Sequence, residues 1–469
     1  MQLSESLLSP GVLNSFIERV REDLPDGPSS CTPSCDSIGR SWQRLGLRPG
    51  DLVLLCLPNG KELLNQFFGV LMAQGVPALL PPNLPVARVR EIRETFGARA
   101  IGALRLPAGE LGAVQYEAIG PLEVTMFPPA PEPVTSPGEV VLLTSGTSGS
   151  ASGCVFDIGS LLLNGLRHAD SIGQREEDTV LISLPLYFSF ALVAQALASL
   201  VRGNRVVISG PPFNTLRYQK TLRSCGVTIS SLTPVLVRSM LRYDAGFLGN
   251  LRVLSVGGDA LEPDIVTRLL EIRQGQELYV TYGLTQAGPR VSTLAAHAEP
   301  AYRYASVGLP IEGTSVSLHH LGNHGTMKQL FVTSDTVMKR PIGRVEGRSH
   351  HDLAGPRTVA TGDIFEQDRD GYLYFKGRLS DYISRKGEKI SLAAVRRLVS
   401  RHPNVVNAKT TVLDCKDGGE DFDLELSLIS PLDSCLDPRE MLRGILRRTE
   451  MPRTIRVHSE NESRVYEYK

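Results

Sequence analysis

The sequence lacks an excess of charge of either sign, since 50 Lys and Arg residues stand against 50 Asp and Glu residues. Bulk charge therefore gives no reason to expect binding to nucleic acid or to an anionic membrane. Long apolar runs are also missing: the central stretch FALVAQALASLV is too short to span a bilayer and is typical of a buried helix. The first residues, MQLSESLLSPGVLNSF, have no basic segment before an apolar one. We therefore expect no secretory signal and a cytoplasmic protein.

Cysteines are few and scattered. Their number, seven, is odd, which argues against a disulfide framework and suits a reducing compartment. The close pair Cys31 and Cys35 has no second pair to complete a tetrahedral site, so no metal site is expected. Cys154 fits a small buried apolar residue better than an acyl-accepting thiol.

Strand and helix patterns alternate through the first three-quarters of the chain. DLVLLCLP (51–58) reads as a buried strand and is followed by the helical pattern ELLNQFFGVLMAQG. Such alternation predicts an α/β domain with parallel or mixed sheets and flanking helices. After residue 377 the pattern becomes that of a compact α+β module of about ninety residues. We therefore predict two domains, residues 1–377 and 378–469.

TSGTSG, residues 144–149, follows an apolar run and has the composition of an anion-binding loop. Small residues allow tight turns that point several backbone N–H groups at one anion, and the hydroxyls add further donors. No Gly-Lys-Ser/Thr follows, so this is not the phosphate loop of the nucleoside triphosphatases.

Four further stretches, in this order and spacing, resemble the adenylate-forming superfamily of acyl-CoA synthetases, peptide-synthetase adenylation domains and luciferases. They are LRVLSVGGDALEPDI (251–265), YVTYGLTQAG (279–288), SVGLPIEG (306–313) and VATGDIFEQDRDGYLYFKGRLSDYISRKGEKIS (359–391). With RLGLRPGDLVLLCLPNGKEL (44–63), the resemblance covers nearly the whole chain. LPLYFSFAL (184–192) and the final SRVYEYK are similar to benzoate- and anthranilate-type CoA ligases. The resemblance implies a large N-terminal domain and a small, mobile C-terminal domain.

The resemblance also implies a role for each matching residue. Tyr282 would stack on adenine, Asp363 would accept the ribose hydroxyls, and Arg378 would reach the ribose. Thr285 and Gly258 would act beside the reacting acyl group, and Ser380 would be the hinge of the small domain. The other implied substrate-, nucleotide- or CoA-binding residues are Gly257, Asp259, Gly283, Thr144, Ser145, Gly146, Thr147, Gly387 and Lys389.

LPLYFSFAL would form an aromatic strand along the acyl pocket, with Tyr187, Phe188 and Phe190 as candidate contacts to a flat aromatic acid. Strand alternation would point Tyr187 away from Phe188 and Phe190, so not all three could face one ligand. Aromatic residues in such a run are also common in a hydrophobic core, and that interpretation stays open.

Three positions depart from the family pattern, all on the side of ATP. Ser152 stands where a lysine would contact the β- and γ-phosphates. Gln286 replaces a glutamate that helps to hold magnesium, and a neutral amide is a poorer ligand for a hard cation. Arg464 aligns with the near-terminal catalytic lysine, and its planar fork differs in shape from an ammonium group. Lys389 also stands where an arginine is usual.

These departures lead to the hypothesis of an acyltransferase that uses no ATP. It would move an anthraniloyl- or benzoyl-like group from a CoA thioester to the phosphopantetheine thiol of an acyl carrier protein, in secondary-metabolite biosynthesis. Such an exchange needs alignment and oxyanion stabilisation, for which amides at Gly257–Gly258 and the Thr285 hydroxyl are candidates, with Arg464 as a further catalytic residue.

Two alternatives stay open. The first is an ATP-dependent aryl-CoA ligase that uses ATP and magnesium, with Arg464 or Lys469 in place of the missing lysine. The retained Tyr282, Asp363 and Arg378 favour it, because a protein without a nucleotide substrate does not need a ribose-binding aspartate. The second is a non-catalytic homologue that binds an acyl ligand.

Overall fold

The structure is a computed structural model. It describes residues 2–23, 33–105, 111, 115–144, 152–210, 212–242, 246–321, 327–343, 353–385, 388–414, 420–428 and 437–459. Within these ranges no helix combines the length and apolar character that crossing a membrane requires.

Some helices begin or end at capping residues that can be recognised in the sequence. Asn214 and Ser391 each accept a hydrogen bond from a backbone N–H of the first turn that follows. Gly97 and Gly203 end their helices in the left-handed conformation. The α-helices are Gln2–Leu7, Pro10–Arg19, Cys35–Arg44, Lys61–Met72, Val86–Phe96, Ile158–Ser171, Ser189–Ala191, Ala198–Arg202, Thr215–Ser224, Pro234–Arg242, Pro263–Arg273, Leu392–Ser400 and Pro438–Arg443. A π-helix spans Leu192–Leu197, and 3-10 turns span Gly246–Asn250, Thr285–Ala287, Ala296–Ala298, Ala301–Arg303, Leu379–Asp381 and Arg448–Glu450.

Most strands of the first two-thirds of the chain are short and apolar, as expected for strands covered on both faces. In chain order the strands are β1 (Val20–Glu22), β2 (Leu52–Cys56), β3 (Val76–Leu79), β4 (Ala100–Ala103), β5 (Gln115–Ile119), β6 (Leu122–Met126), β7 (Glu139–Leu143), β8 (Ser152–Asp157), β9 (Thr179–Ile182), β10 (Arg205–Ile208), β11 (Ile229–Leu232), β12 (Val253–Gly257), β13 (Glu277–Gly283), β14 (Arg290–Ala295), β15 (Leu309–Pro310), β16 (Thr314–His320), β17 (Lys328–Ser334), β18 (Arg340–Gly343), β19 (Leu353–Gly355), β20 (Thr358–Gln367), β21 (Leu373–Arg378), β22 (Tyr382–Arg385), β23 (Glu388–Ser391), β24 (Val405–Asp414), β25 (Glu420–Leu428) and β26 (Ile455–Ser459).

Two eight-stranded sheets form the large domain, as the alternating pattern predicted. One has the order β1-β10-β9-β11-β12-β13-β14-β15 and is parallel from β1 to β13. The other has the order β18-β8-β7-β3-β2-β4-β6-β5, with parallel strands at its centre and antiparallel strands at its edges. Helix Ile158–Ser171 follows β8 and contacts β14 of the first sheet, so it bridges the two sheets. One large hydrophobic cluster contains residues of both sheets, including Val140 and Leu254.

A five-stranded antiparallel sheet, β16-β17-β20-β19 with β21 beside β20, follows the large sheets. Beyond it lie β22–β23, the sheet β24-β25-β26 and helix Leu392–Ser400, which contacts β22 and β24. Their apolar side chains form a separate cluster whose buried members run from Ile383 to Leu446. The α+β composition expected for the C-terminal part is therefore present. The boundary between residues 377 and 378 stays a prediction.

The aromatic strand predicted for residues 184–192 is wrong. Strand β9 ends at Ile182, residues 185–188 form a turn, and Ser189 begins a helical run that continues as the π-helix Leu192–Leu197. Strand alternation therefore does not apply to these aromatic side chains. The rings of Tyr187 and Phe188 contact each other, with centroids 4.7 Å apart. The central run FALVAQALASLV is helical and buried, as expected.

Candidate active site

The candidate site lies at the carboxyl ends of the neighbouring parallel strands β12 and β13, the usual position of ligand sites in such sheets. Gly257 closes β12, and a Cβ there would stand 2.3 Å from Oγ1 of Thr281. Gly258 is exposed and has φ +95°, a conformation that favours glycine. At the end of β13, a Cβ on Gly283 would stand 2.2 Å from the carbonyl oxygen of Pro289. Close backbone packing thus explains the glycines at both strand ends.

Tyr282, Asp363 and Arg378 come together, as the resemblance implied, and we call them the ribose cluster. The Tyr282 hydroxyl donates a 2.6 Å hydrogen bond to Oδ2 of Asp363. Asp363 and Arg378 face each other across the antiparallel strands β20 and β21, and Nε of Arg378 lies 3.3 Å from Oδ1 of Asp363. The Tyr282 ring packs edge-on against Phe365, with centroids 4.8 Å apart. The cluster joins the first large sheet to the five-stranded sheet.

Burial dominates the electrostatics of the ribose cluster. It raises the pKa of the Asp363 carboxyl above its usual value, although Arg378 and the Tyr282 hydrogen bond act in the opposite direction. It also raises the pKa of Tyr282 well above 10, and the adjacent carboxylate adds to that effect. Tyr282 therefore remains a hydrogen-bond donor at neutral pH. Oδ1 of Asp363 is buried and accepts no hydrogen bond from the described residues.

The two ends of the predicted anion-binding loop are joined by hydrogen bonds. Strands β7 and β8 are antiparallel and pair Leu143 with Gly153. The hydroxyl oxygens of Thr144 and Ser152 lie 2.7 Å apart, and the Thr144 backbone N–H donates to the Ser152 carbonyl at 3.1 Å. Ser152, at the position of the family's lysine, thus closes the base of the loop. Ser145, Gly146 and Thr147 lie outside the described residues.

Hydroxyl and aromatic groups meet beside the glycines. Oγ1 of Thr285 lies 3.1 Å from Oγ of Ser189. The next residue, Phe190, would lie 3.8 Å from a Cβ on Gly258, so its ring borders the exposed end of β12. Tyr187 and Phe188 are half-buried in the preceding turn. This arrangement provides an aromatic surface next to two hydroxyls, in a place where an acyl group could lie.

The remaining predicted residues are more dispersed. The exposed Asp259 accepts a hydrogen bond from the backbone N–H of Ala260 at 2.7 Å. Ser380 is exposed in the 3-10 turn Leu379–Asp381, between the ribose cluster and the C-terminal strands, a position compatible with a hinge. Lys389 lies in β23, opposite Ser384. Gly387 and Arg464 lie outside the described residues.

Arg290 was not predicted from the sequence. This buried arginine follows the motif YVTYGLTQAG and places Cζ 3.8 Å from the centroid of the Phe190 ring. Ser189 and Phe365, which contact Thr285 and Tyr282 respectively, were not predicted either. A charged residue in the otherwise uncharged strand β14 was the one available signal for Arg290.

The fold and the site agree with the comparison to known families. The sequence profile of the AMP-binding enzyme family matches residues 33–329. The chain therefore belongs to this family, and it has the fold of the adenylate-forming superfamily.

Its relatives include CoA ligases and synthases. Feruloyl-CoA synthase of Amycolatopsis sp is 28% identical over 78% of this chain and 76% of its own length. 4-Coumarate-CoA ligase 1 of Narcissus pseudonarcissus is 24% identical over 81% of this chain and 75% of its own length.

Two solved structures show the same fold. An anthranilate CoA ligase in complex with anthranoyl-AMP superposes with a TM-score of 0.76 at 18% identity, covering 97% of this chain and 94% of that one. O-succinylbenzoate CoA synthetase from Bacillus subtilis, in complex with ATP and magnesium, has a TM-score of 0.74 at 19% identity and covers 95% of both chains.

These comparisons correct the functional hypothesis. The prediction of an acyltransferase that uses no ATP is wrong, because relatives such as the two named above are CoA ligases and synthases, and similar structures hold ATP or an acyl-adenylate. The departures at Ser152 and Gln286 are therefore not sufficient grounds to infer that the ATP reaction was lost.

Proposed function

We propose that the protein is an ATP-dependent acid–thiol ligase that joins an aromatic carboxylic acid to CoA. The carboxylate attacks the α-phosphorus of ATP, pyrophosphate leaves, and an acyl-adenylate forms. The CoA thiol, after losing its proton, then attacks the acyl carbon and releases AMP. The observation that carries this proposal is the ribose cluster, located beside the glycines that end β12 and β13.

The ribose cluster fits a nucleotide. Asp363 is only 2% exposed, and its Oδ1 accepts no hydrogen bond from the described residues. A buried acceptor without a donor is costly, and a ribose hydroxyl would supply that donor. Nε of the half-exposed Arg378 lies 3.3 Å from the same Oδ1, in an ion pair without hydrogen-bond geometry. The cluster thus offers an acceptor and a positive charge at one place.

The residues that would bind the triphosphate offer weaker contacts than the residues that would bind the ribose. Ser152 contributes a hydroxyl in place of an ammonium group, and Gln286 contributes a neutral amide in place of a carboxylate. A lost charged contact to a transferring phosphate costs on the order of 2–4 kcal/mol of transition-state stabilisation. We therefore expect slow adenylation, with the nucleotide's magnesium held chiefly by phosphate oxygens.

The acyl side supports an aromatic acid. Phe190 borders Gly258, and the hydroxyl of its chain neighbour Ser189 contacts the hydroxyl of Thr285. A flat ring can pack on Phe190, with its carboxylate near the hydroxyls. The feruloyl and 4-coumarate relatives are named for aromatic acids, which also favours this class. The cytoplasmic location, the biosynthetic setting and an acyl carrier protein partner stay predictions.

The test is acyl-CoA formation from a panel of aromatic acids with CoA and magnesium, with and without ATP. We expect acyl-CoA and AMP in equal amounts, and only with ATP. Replacing ATP by its 2′,3′-dideoxy analogue should raise KM for the nucleotide at least tenfold, because the ribose hydroxyls are removed. Acyl-CoA formation that needs no nucleotide, or equal use of the dideoxy analogue, would contradict the proposal.

A further inference from the structure

Arg290 is a buried cation that has no counter-ion within the described ranges. The residue is only 3% exposed, and its Nη1 donates a 2.9 Å hydrogen bond to Oγ1 of Thr281. Neither Nε nor Nη2 has a hydrogen-bond partner among the described residues, and none of the described carboxylates forms an ion pair with it. Among those residues, Arg290 alone leaves two buried guanidinium nitrogens unpaired. Such a group is costly in a folded protein unless a ligand satisfies it.

The two unpaired nitrogens define one side of the guanidinium. Nε and the Nη2 next to it present parallel N–H groups, which match the two oxygens of a carboxylate. Other arginines of this chain use this pair of nitrogens in that way. Arg238 donates from Nε and Nη2 to Glu262 at 3.1 and 2.9 Å. Arg217 and Arg252 do the same with Asp23 and Asp178. At Arg290 the two nitrogens of the equivalent side are buried and have no hydrogen-bond partner among the described residues.

The position of Arg290 connects it to the acyl side of the site. Its Cζ lies 3.8 Å from the centroid of Phe190, whose ring also borders the exposed Gly258. Its Nη1 would lie 3.1 Å from a Cβ on Gly257. The neighbour of Phe190, Ser189, contacts Thr285 at the reacting end. An acyl group that extends from Thr285 across Phe190 would therefore bring its far end to Arg290.

None of the carboxylates in the described part of the chain balances the charge of Arg290. His168 is fully buried, and neither of its ring nitrogens has a partner among the described residues. Burial, and then the charge of Arg290, lowers the pKa of His168 well below its usual value, so the ring is neutral. Burial also lowers the pKa of Arg290 to about 9, and no acidic group among the described residues opposes this shift. Those residues leave the charge of Arg290 for a ligand to balance.

We propose that Arg290 determines acid specificity, and that the substrate is an aromatic dicarboxylic acid whose second carboxylate binds to the Nε and Nη2 of Arg290. This inference rests on the proposed function, since it assumes that the first carboxylate is activated at the same site. The competing role is structural: Arg290 would stabilise the fold through Phe190 and Thr281 alone. In that case its substitution would change stability and leave acid preference unaltered.

The experiment compares kcat/KM for benzoate with that for 1,2-, 1,3- and 1,4-benzenedicarboxylate. The wild-type protein should prefer at least one diacid over benzoate by about tenfold or more, as expected for a paired carboxylate. In Arg290→Met this ratio should fall to about one, and in Arg290→Lys it should take an intermediate value because the charge remains and the fork is lost.

The matched control is Arg273→Met. Arg273 is equally buried but donates to the backbone carbonyls of Leu248, Leu251 and Glu277, so its loss should lower Tm without changing the ratio.

A binding measurement keeps the inference testable if a variant fails to fold. Calorimetry on the wild-type protein should detect the preferred diacid at concentrations at which benzoate does not bind. A wild-type protein that binds and uses benzoate as well as every diacid would overturn the inference, as would an unchanged ratio in a folded Arg290→Met variant. If no acid is ligated but the diacid binds in an Arg290-dependent manner, the proposed function fails and the assignment of Arg290 stands.

Discussion

Tyr282 and Asp363 lie on different sheets and are joined by a 2.6 Å hydrogen bond from the tyrosine hydroxyl to Oδ2 of the aspartate. The other carboxylate oxygen, Oδ1, is left without a hydrogen-bond donor among the described residues. Nε of Arg378 lies 3.3 Å from this Oδ1 in an ion pair without hydrogen-bond geometry, so Oδ1 can still accept a hydrogen bond from a ligand. Functional sites often keep such a buried, incompletely paired group at a cost in stability.

The Asp363→Asn variant should be more stable than the wild type at neutral pH. Burial raises the pKa of Asp363 in the folded state above the value of 3.8 expected when unfolded. The folded protein therefore binds more protons than the unfolded chain between these two pKa values, and stability falls as the pH rises through this range. Asparagine cannot ionise, so we expect Tm to rise by about 2 °C at pH 7.5, with a smaller gain toward pH 4. Differential scanning fluorimetry across this pH range measures the effect.

The same Asp363→Asn variant should raise KM for ATP at least tenfold, because the anionic acceptor for the ribose hydroxyls is lost. Asp370→Asn is the matched control. Asp370 is 66% exposed in its ion pair with Arg303, so its loss should change neither Tm nor KM appreciably. A lower Tm for Asp363→Asn at pH 7.5, together with an unchanged KM, would show that the carboxylate serves the fold rather than the nucleotide.

Ser152→Lys should accelerate adenylation. The substitution places an ammonium group at the base of the loop, where the family carries one, and removes the hydroxyl contact to Thr144. A restored charged contact to the phosphates should raise the rate of pyrophosphate release about tenfold or more. Ser152→Ala is the control, since it also removes the hydroxyl and adds no charge. Equal rates for the lysine and alanine variants would mean that position 152 does not contact the triphosphate.

Gly258→Ala should impair acid binding. A Cβ there stands 3.7 Å from Cγ2 of Thr233 and 3.8 Å from the Phe190 ring, and the φ of +95° disfavours any side chain. We expect a loss of about 1–2 kcal/mol in unfolding free energy and a KM for the acid raised several-fold. Gly226→Ala separates the two effects, because Gly226 also has a positive φ, at +59°, but has no atom within 4 Å of its Cβ position. Denaturant unfolding and steady-state kinetics should show a shared stability loss and a KM effect confined to Gly258.

The fold could be predicted from the sequence because its signals are local. Alternating apolar runs and helical patterns identify the elements, and the glycines of LRVLSVGG and YVTYG mark strand ends. Residues 184–192 were mispredicted because a run of aromatic residues fits a strand and a helix about equally well. The π-helix that follows depends on tertiary packing, since Gly165 of the neighbouring helix approaches the backbone of Ala198.

The chemistry was harder to predict than the fold. Arg290 and Phe190 are a hundred residues apart in the chain, so their contact had no local signal. The missing lysine at Ser152 suggested that ATP use was lost, whereas the relatives and the intact ribose cluster favour its retention. The loss of one charged contact to the phosphates lowers the rate of adenylation, but the backbone that positions the nucleotide can remain in place.

The most direct test of ATP-dependent activation follows the carboxylate oxygen. An aromatic acid labelled with ¹⁸O in its carboxylate is incubated with the protein, ATP, magnesium and CoA, and the products are analysed by mass spectrometry. If the carboxylate attacks the α-phosphorus, AMP must carry one ¹⁸O atom for each acyl-CoA formed. Acyl-CoA accompanied by unlabelled AMP, or formed without AMP, would contradict an acyl-adenylate intermediate.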